Sequence, residues 1–216
     1  MKLLTNLNPE LLERLDRYRN WFDEQDDINT IIPDKDREGT HTLESATSPE
    51  YLKEVQKDTH AGTPECAIVT DFHISDGSPT KYRNASLELC TDVCAFLGAK
   101  FTAVHAYYPA DGFMGWHCNW DTPGYNILLS YSENDQGFFR YTDKEGNIVT
   151  MYDTPGWSAK VGYFGGKDED ASNIVWHCAG SKLPRQTLGF VIPDRDMWQM
   201  MIDDIDDKPF NRSLFP

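Results

Sequence analysis

Residues 101–119 read FTAVHAYYPADGFMGWHCN, and the fold prediction starts from this segment. Its first eight residues are aromatic, β-branched or small, which is typical of a strand, and Pro109-Ala110-Asp111-Gly112 has the composition of a turn. Similar short runs follow at 125–131, 137–141, 148–152, 161–164, 174–177 and 187–192. Short strands separated by turns in this way favour two packed antiparallel sheets of the jelly-roll type.

The chain before Gly98 has the pattern of helices. Asn8-Pro9 begins a helix that runs to about Trp21, Ser48 caps a second one, and a third runs from about 85 to 97. Cys66 to Ile74 predicts a strand that ends in a turn at 77–79. Helices first and strands later predict an α+β protein, with the N-terminal helices packed on one sheet. We expect a helical extension over 1–60 and a jelly-roll domain over 61–216, as one folding unit.

The third helix carries Leu87, Cys90, Cys94 and Leu97 at spacings of three and four, which predicts one apolar face turned to the core. Cys90 and Cys94 are therefore expected to pack rather than to bind a metal. The chain has five cysteines, an odd number without the spacing of a disulfide framework. This usage predicts reduced thiols and a cytoplasmic protein.

The composition excludes some classes of partner. Acidic residues outnumber basic ones 35 to 20, which gives a net charge of −15. A nucleic acid would be repelled by such a surface. The sequence also has no apolar run of about 18 residues and no secretion signal at its start. We therefore expect a soluble protein without a membrane or nucleic-acid partner.

The tripeptide Trp-His-Cys occurs twice, at 116–118 and at 176–178. A zinc site of two cysteines and two histidines is one interpretation. On a strand, however, neighbouring side chains point to opposite faces, so a histidine and the adjacent cysteine cannot both reach one metal. His117 and His177 alone remain as a candidate ligand pair.

The surroundings of these histidines resemble the iron(II)- and 2-oxoglutarate-dependent oxygenases. The run Tyr108-Pro109-Ala110-Asp111-Gly112 before His117 is similar to that of the prolyl-hydroxylase-like branch, and His177 and Arg185-x-Thr187 follow in that family's order. Two further segments, Gly115-Trp116-His117-Cys118-Asn119 and Phe139-Arg140-Tyr141, are similar to small oxygenases of tailed marine phages. A phage protein of this kind would work in the host cytoplasm.

The resemblance implies a double-stranded β-helix that binds iron(II) and 2-oxoglutarate and hydroxylates a C–H bond, with succinate and carbon dioxide as coproducts. The substrate would be a prolyl or other amino-acid side chain of a protein, or a free amino acid. The implied catalytic residues are His117, His177 and Arg185. Arg185 would bind the distal carboxylate of 2-oxoglutarate with two nitrogens. The implied cosubstrate cradle is completed by Tyr108, Tyr131 and Thr187, and the candidate substrate entrance is lined by Trp116, Trp120 and Arg140.

The third metal ligand is left open by the sequence. Asn119 stands where the family has Asp or Glu, so one negative charge is missing. Asn119 can serve through its amide oxygen, Asp121 can replace it because it shares the strand face of His117, or water can fill the position. We place the Asn119 ligand first.

Two other functions remain open on the sequence alone. The chain could be a degenerate oxygenase fold that binds without turnover, or a cupin-type metalloenzyme that does not use 2-oxoglutarate. Arg185 lies just before the apolar run 188–192, so its side chain is expected to be buried. A buried guanidinium requires an anion as a partner. The alternative to a cosubstrate is an internal ion pair with Asp or Glu.

Overall fold

The structure is a computed structural model, which describes residues 1–28, 31, 33, 40–57, 62, 64–73 and 78–207. The end of the predicted strand at Ile74 and the start of the turn at 77 lie outside these residues. Within the described ranges, no helix combines the length and the apolar character that crossing a membrane requires.

Five α-helices are present in the described part of the chain: α1 (Pro9–Asp23), α2 (Leu43–Ala46), α3 (Pro49–Val55), α4 (Thr80–Leu97) and α5 (Arg195–Ile205). The strands are β1 (Lys2–Leu4), β2 (Ala67–Ile68), β3 (Thr70–Asp71), β4 (Phe101–Tyr108), β5 (Phe113–His117), β6 (Gly124–Ser132), β7 (Gly137–Thr142), β8 (Ile148–Tyr152), β9 (Gly156–Phe164), β10 (His177–Ser181) and β11 (Arg185–Ile192).

The strands form two antiparallel sheets. The six-stranded sheet has the order β1-β9-β6-β11-β4-β3, and the five-stranded sheet has the order β2-β5-β10-β7-β8. From β4 to β11 the chain passes back and forth between the two sheets. This is the winding of a double-stranded β-helix, so the predicted jelly-roll core and the α+β class are confirmed.

The helices cover the outer faces of both sheets. Helices α1 and α4 pack against the six-stranded sheet through a core that includes Leu11, Phe22 and Val93. Helices α2 and α3 pack instead against the five-stranded sheet. The sequence predicted helices on one sheet only, because the short α2 and α3 carry too few apolar residues to show which surface they cover.

Two strands differ from the sequence prediction for local reasons. Strand β5 was predicted only at its end, where the sequence indicates a strand or strand edge at the Trp-His-Cys tripeptide, because its central Gly115 weakens the strand pattern. A Cβ at Gly115 would lie 2.5 Å from Cys66 Sγ, so the close approach of the neighbouring chain requires glycine there. The strand predicted at 174–177 lies instead at His177–Ser181.

The helix caps agree with the sequence prediction, but one helical face does not. Asn8 and Ser48 accept hydrogen bonds from backbone N–H groups at the starts of α1 and α3. Helix α4 begins at Thr80 rather than near 85, and Leu87 is 64% exposed, so it does not belong to the buried face. Cys90 is buried in the core, as predicted.

Candidate metal centre

His117 and His177 lie directly opposite each other on neighbouring strands. His117 ends β5, His177 begins β10, and the two residues are paired across the antiparallel ladder. Directly paired residues turn their side chains to the same face. The two imidazole ring centroids are 4.1 Å apart, so the structure brings together the two histidines that the sequence singled out.

Backbone carbonyls fix the tautomer of both rings. His117 Nδ1 lies 2.8 Å from the carbonyl oxygen of Gly115, and His177 Nδ1 lies 3.0 Å from that of Val175. A carbonyl can only accept, so each Nδ1 carries the hydrogen and each Nε2 keeps its lone pair. This is the state of a metal-binding imidazole, in which the other ring nitrogen is tied to an acceptor.

Burial keeps both imidazoles neutral. It lowers the pKa of His117 to about 4. The pKa of His177 is also lowered, first by burial and then by the neighbouring His117. Phe139 stacks on the His177 ring at 5.6 Å and Phe164 meets it edge-on at 4.8 Å. Protons therefore do not compete with a metal for this pair near neutral pH.

The structure distinguishes the two protein candidates for the third ligand. Asp121 is 68% exposed and its carboxylate contacts Lys167 Nζ at 2.5 Å, which disfavours it as a ligand. Asn119 is half-buried and lies two residues after His117. The backbone oxygen of Asn119 accepts from Thr122, while its side chain has no hydrogen bond within the described residues. Its amide oxygen is thus available to a metal.

Arg185 lies at the centre of a second, buried polar cluster between the sheets. Its Nε donates to Asp153 Oδ2 at 2.6 Å, and its terminal nitrogens donate to the Thr187 hydroxyl and, at 3.1 Å, to Ser130 Oγ. The guanidinium carbon is 4.9 Å from the ring centre of Tyr108. Tyr108 and Thr187, both predicted to share a site with Arg185, therefore surround it.

The internal ion pair of Arg185 does not neutralise the cluster, because Lys160 belongs to it as well. Lys160 Nζ lies 2.6 Å from Asp153 Oδ1, and neither of these side chains is exposed. Burial alone would raise the pKa of Asp153, but Arg185 and Lys160 outweigh it and lower that pKa to about 2. Burial lowers the pKa of Lys160 to about 8. At neutral pH, two cations and one carboxylate leave a buried net charge of +1.

Tyr131 does not reach this cluster, which corrects the prediction that it completes the cradle. It is paired with Gln186 rather than with Arg185, so it points to the opposite face of the sheet. There it packs against Trp157, and Arg19 lies 4.2 Å from its ring centre. The hydroxyl that contacts Arg185 from β6 belongs to Ser130 instead.

Trp116 and Arg140 also face away from the space between the sheets. Trp116 is 1% exposed, and its Nε1 donates to the carbonyl oxygen of Ser48 at the start of α3. Arg140 donates to the carbonyl oxygen of Thr47 at 2.7 Å. The prediction that they line a substrate entrance is therefore wrong, because strand alternation turns both toward α2 and α3. Trp120 is half-buried in the loop after β5 and stays a prediction.

Asp153, Lys160 and Ser130 were missed by sequence reasoning. Lys160 gave a usable signal, since it is a single cation within the apolar and small residues of β9. The argument that a buried Arg185 requires an anion applies equally to this lysine. Asp153 gave no such signal, because it follows β8 in a turn where aspartate is common.

Two clefts open on the helical face, away from these clusters. One, of about 350 Å³, lies between α1 and α4 and is lined by Arg14, Tyr18 and Trp21 among others. The other, of about 470 Å³, follows the exposed side of α4. Neither is lined by a predicted metal or cosubstrate residue. The candidate site is therefore the histidine pair with the Arg185 cluster rather than either cleft. An imidazole pair and a buried cation each bind a particular kind of ligand, whereas an open groove does not indicate one.

Comparison with known proteins gives structural similarity alone. No family model and no curated protein matches the sequence. The chain is similar to a prolyl-4-hydroxylase of Pseudomonas putida, at 16% identity and a TM-score of 0.42, over 88% of this chain and 91% of that chain.

Two further solved structures are similar in the same way. One is a Trichoplax adhaerens prolyl hydroxylase in complex with a hypoxia inducible factor peptide fragment, at 9% identity and a TM-score of 0.43, over 92% of this chain and 86% of that one. The other is a full-length Neurospora crassa protein in complex with alpha-KG, at 10% identity and a TM-score of 0.35, over 87% of this chain and 73% of that one. At these values the similarities carry no argument about function, which rests on the side chains described above.

Proposed function

We propose that this protein is an iron(II)- and 2-oxoglutarate-dependent oxygenase that hydroxylates a C–H bond. The observation that carries the proposal is the pair of neutral imidazoles, His117 and His177, whose Nδ1 atoms are both held by backbone carbonyls. Two imidazoles and an oxygen ligand suit iron(II) and leave other coordination positions open. Asn119 is the oxygen ligand that we favour.

Iron, when bound, would supply the activation of oxygen, and the residues of this chain would hold and orient the reactants. His117 and His177 would each present Nε2, with Nδ1–H held by Gly115 or Val175 so that neither ring can turn. Phe139 stacks on the His177 ring on the inner side of the sheet. These aromatic contacts exclude water from one side of the pair.

The buried cluster around Arg185 supports an acidic cosubstrate. Its net charge of +1 is stabilised by one further carboxylate, such as the distal carboxylate of 2-oxoglutarate. Asp153 accepts from the Nε–H of Arg185, and the Thr187 and Ser130 hydroxyls accept from its terminal nitrogens. Tyr108 also forms a side-chain hydrogen bond with the guanidinium, so a cosubstrate carboxylate would replace one of these hydroxyl partners. The hydroxyls of Tyr108 and Ser130 lie on the same inner face. The prime substrate that we propose, an amino-acid side chain or free amino acid, rests on the sequence resemblance.

The direct test is the decarboxylation of 2-oxoglutarate. The purified chain is titrated with iron(II) and 2-oxoglutarate without oxygen while the weak visible charge-transfer absorption is followed, and succinate is then measured after air is admitted. We expect the absorption band and iron-dependent succinate. A folded protein that shows neither would overturn the proposal.

Replacing Asn119 by Asp tests the third ligand. A carboxylate neutralises one charge of the metal, whereas an amide neutralises none, so we expect iron(II) to bind about tenfold more tightly or better. The matched variant is Asn119→Ala, which should weaken iron binding if the amide oxygen is a ligand. Equal iron affinity in the parent and in the Ala variant would instead mean that water fills the position.

Replacing Arg185 by Lys tests the cosubstrate cluster. The lysine keeps the positive charge that Asp153 requires but loses the planar set of donors, so we expect the KM for 2-oxoglutarate to rise at least about tenfold. Tyr131→Phe is the control, because Tyr131 lies on the opposite face and its variant should keep the parent KM. Thermal unfolding of both variants shows whether the fold is intact.

The ion pair between Arg185 and Asp153 favours one alternative, a metalloenzyme of the same fold that does not use 2-oxoglutarate. In that enzyme the cluster would serve stability alone. Its metal-dependent activity would then not depend on 2-oxoglutarate and would be unchanged by Arg185→Lys. The two functions are thus separated by a single variant.

A further inference from the structure

A second group of metal-ligating side chains lies on the other side of the six-stranded sheet. His73 follows β3, His105 is in β4, and Cys90 is in α4. One ligand atom from each residue lies within 4.8 Å of the others. His105 is paired with Leu188 of the apolar core and faces α4, so this cluster is separate from the His117 and His177 pair.

The spacing of the three donors is close to that of a metal site. Cys90 Sγ lies 3.9 Å from His105 Nδ1, and the ring centroids of His73 and His105 are 6.4 Å apart. In a tetrahedral zinc site with bonds of about 2.0 to 2.3 Å, the donor atoms lie roughly 3.3 to 3.8 Å apart. The donor atoms, which now lie within 4.8 Å of one another, would therefore approach by up to about 1 Å to share an ion.

The buried ring of His105 turns one nitrogen toward helix α4. The residue is fully buried, and Nδ1 lies 2.6 Å from Ser86 Oγ. Nε2 is buried and has no hydrogen-bond partner within the described residues. Nδ1 is the nitrogen that contacts Cys90, so it is the ligand atom that the measured spacing supports. A metal ion would take its lone pair in place of the hydroxyl hydrogen of Ser86.

Charge also favours a cation at this position. Burial, and next the neighbouring His73, lower the pKa of His105 to about 3, so its ring is neutral and its lone pair is not protonated. Burial raises the pKa of the Cys90 thiol to about 12, because it outweighs the hydrogen bonds from Thr102 and Ser86 that would stabilise a thiolate. A divalent ion supplies that stabilisation, and the thiol proton leaves to solvent when the ion binds.

We propose that His73, Cys90 and His105 form a zinc site that fastens α4 to the six-stranded sheet, so that Cys90 binds a metal as well as packing in the core. Thiolate and imidazole donors together suit zinc better than they suit calcium or magnesium. His73 is exposed, so the ion reaches the site from solvent and water takes the fourth position. The Asp71 carboxylate accepts from the backbone N–H of His73 at 2.8 Å and thereby fixes the turn that carries this ligand.

Cobalt(II) titration tests the site, because a thiolate–cobalt bond gives a near-ultraviolet charge-transfer absorption. The whole chain is used with His117→Gln and His177→Gln, so that the other histidine pair cannot bind the probe. We expect one cobalt per chain with the thiolate absorption, and displacement of cobalt by zinc. A folded chain that shows no thiolate absorption at saturating cobalt would overturn the proposal.

Single variants in the same background identify the ligands. Cys90→Ala should abolish the absorption, while Cys94→Ala, one turn further along the same helix, should keep it. His73→Gln should weaken cobalt binding at least about tenfold without loss of the fold, since His73 is exposed. Equal cobalt affinity in His73→Gln and its parent, or an unchanged absorption in Cys90→Ala, would contradict the assignment.

Discussion

Replacing Asp153 by Asn is expected to lower the free energy of unfolding by about 3–5 kcal/mol, the cost of breaking a buried ion pair on one side. In the parent, Asp153 contacts both Arg185 and Lys160, and all three side chains are almost fully buried. Without its carboxylate, two cations would remain together between the sheets. Chemical denaturation of parent and variant at neutral pH gives the difference directly.

A second substitution separates the effect of charge from that of shape. In Asp153→Asn with Lys160→Met, one cation is removed together with the carboxylate, so the buried net charge returns to that of the parent. We expect this double variant to recover a substantial part of the lost stability. A loss below about 1 kcal/mol in Asp153→Asn alone would contradict the account, because a surface ion pair contributes no more than that.

The carboxylate of Asp153 should also make the free energy of unfolding fall as the solution becomes strongly acidic. The pKa of Asp153 in the folded chain, about 2, lies below its ordinary value of 3.8. The stabilisation that it contributes is therefore complete above an ordinary carboxyl pKa and is lost as the pH falls through 2. The part of the stability difference between parent and Asp153→Asn that this carboxyl contributes should shrink below about pH 4.

Replacing His177 by Gln is expected to reduce iron-dependent succinate formation by about 100-fold or more. Loss of a residue that merely orients a metal ligand costs about 10- to 100-fold in affinity or activity, and a direct ligand should cost at least as much. Glutamine has a similar volume and maintains much of the packing against Phe139 and Phe164. Iron(II) affinity and succinate are measured together, so that lost binding is distinguished from lost turnover.

Asp121→Asn is the control for this prediction. It removes an exposed carboxylate close to His117 in the sequence that pairs with Lys167, and it should keep the parent rate of succinate formation. His117→Gln should behave like His177→Gln, because the two rings face each other at 4.1 Å. Full iron-dependent activity in His177→Gln would remove the histidine pair from the metal site.

Local chemistry explains why much of the fold could be predicted. The cap residues Asn8 and Ser48 accept backbone hydrogen bonds where the sequence placed them, and β4, β7 and β8 begin where the runs of aromatic and β-branched residues begin. Such signals act within a few residues along the chain. The start of β5 was not predicted, because Gly115 is required by the close approach of Cys66, a residue distant along the chain.

The parts of the candidate site that depend on single residues could be predicted. A buried arginine requires an anion because burying an unpaired charge is costly. Adjacent residues of a strand cannot share one metal because their side chains point to opposite faces. The cosubstrate cradle could not be completed in this way. Whether Ser130 or Tyr131 meets Arg185 depends on the register of β6 against β11, since a shift of one residue exchanges the two faces.

Local sequence signals were enough to predict most of the strands, the helix caps, the two histidines and the requirement of Arg185 for an anion. The tertiary structure alone decided which anion is present, because Asp153 and Lys160 approach Arg185 only when β9 and β11 flank β6. It also brought His73, Cys90 and His105 together from three separate elements. Contacts of this kind depend on strand register and helix docking, which are set by burial of the whole core rather than by neighbours in the chain.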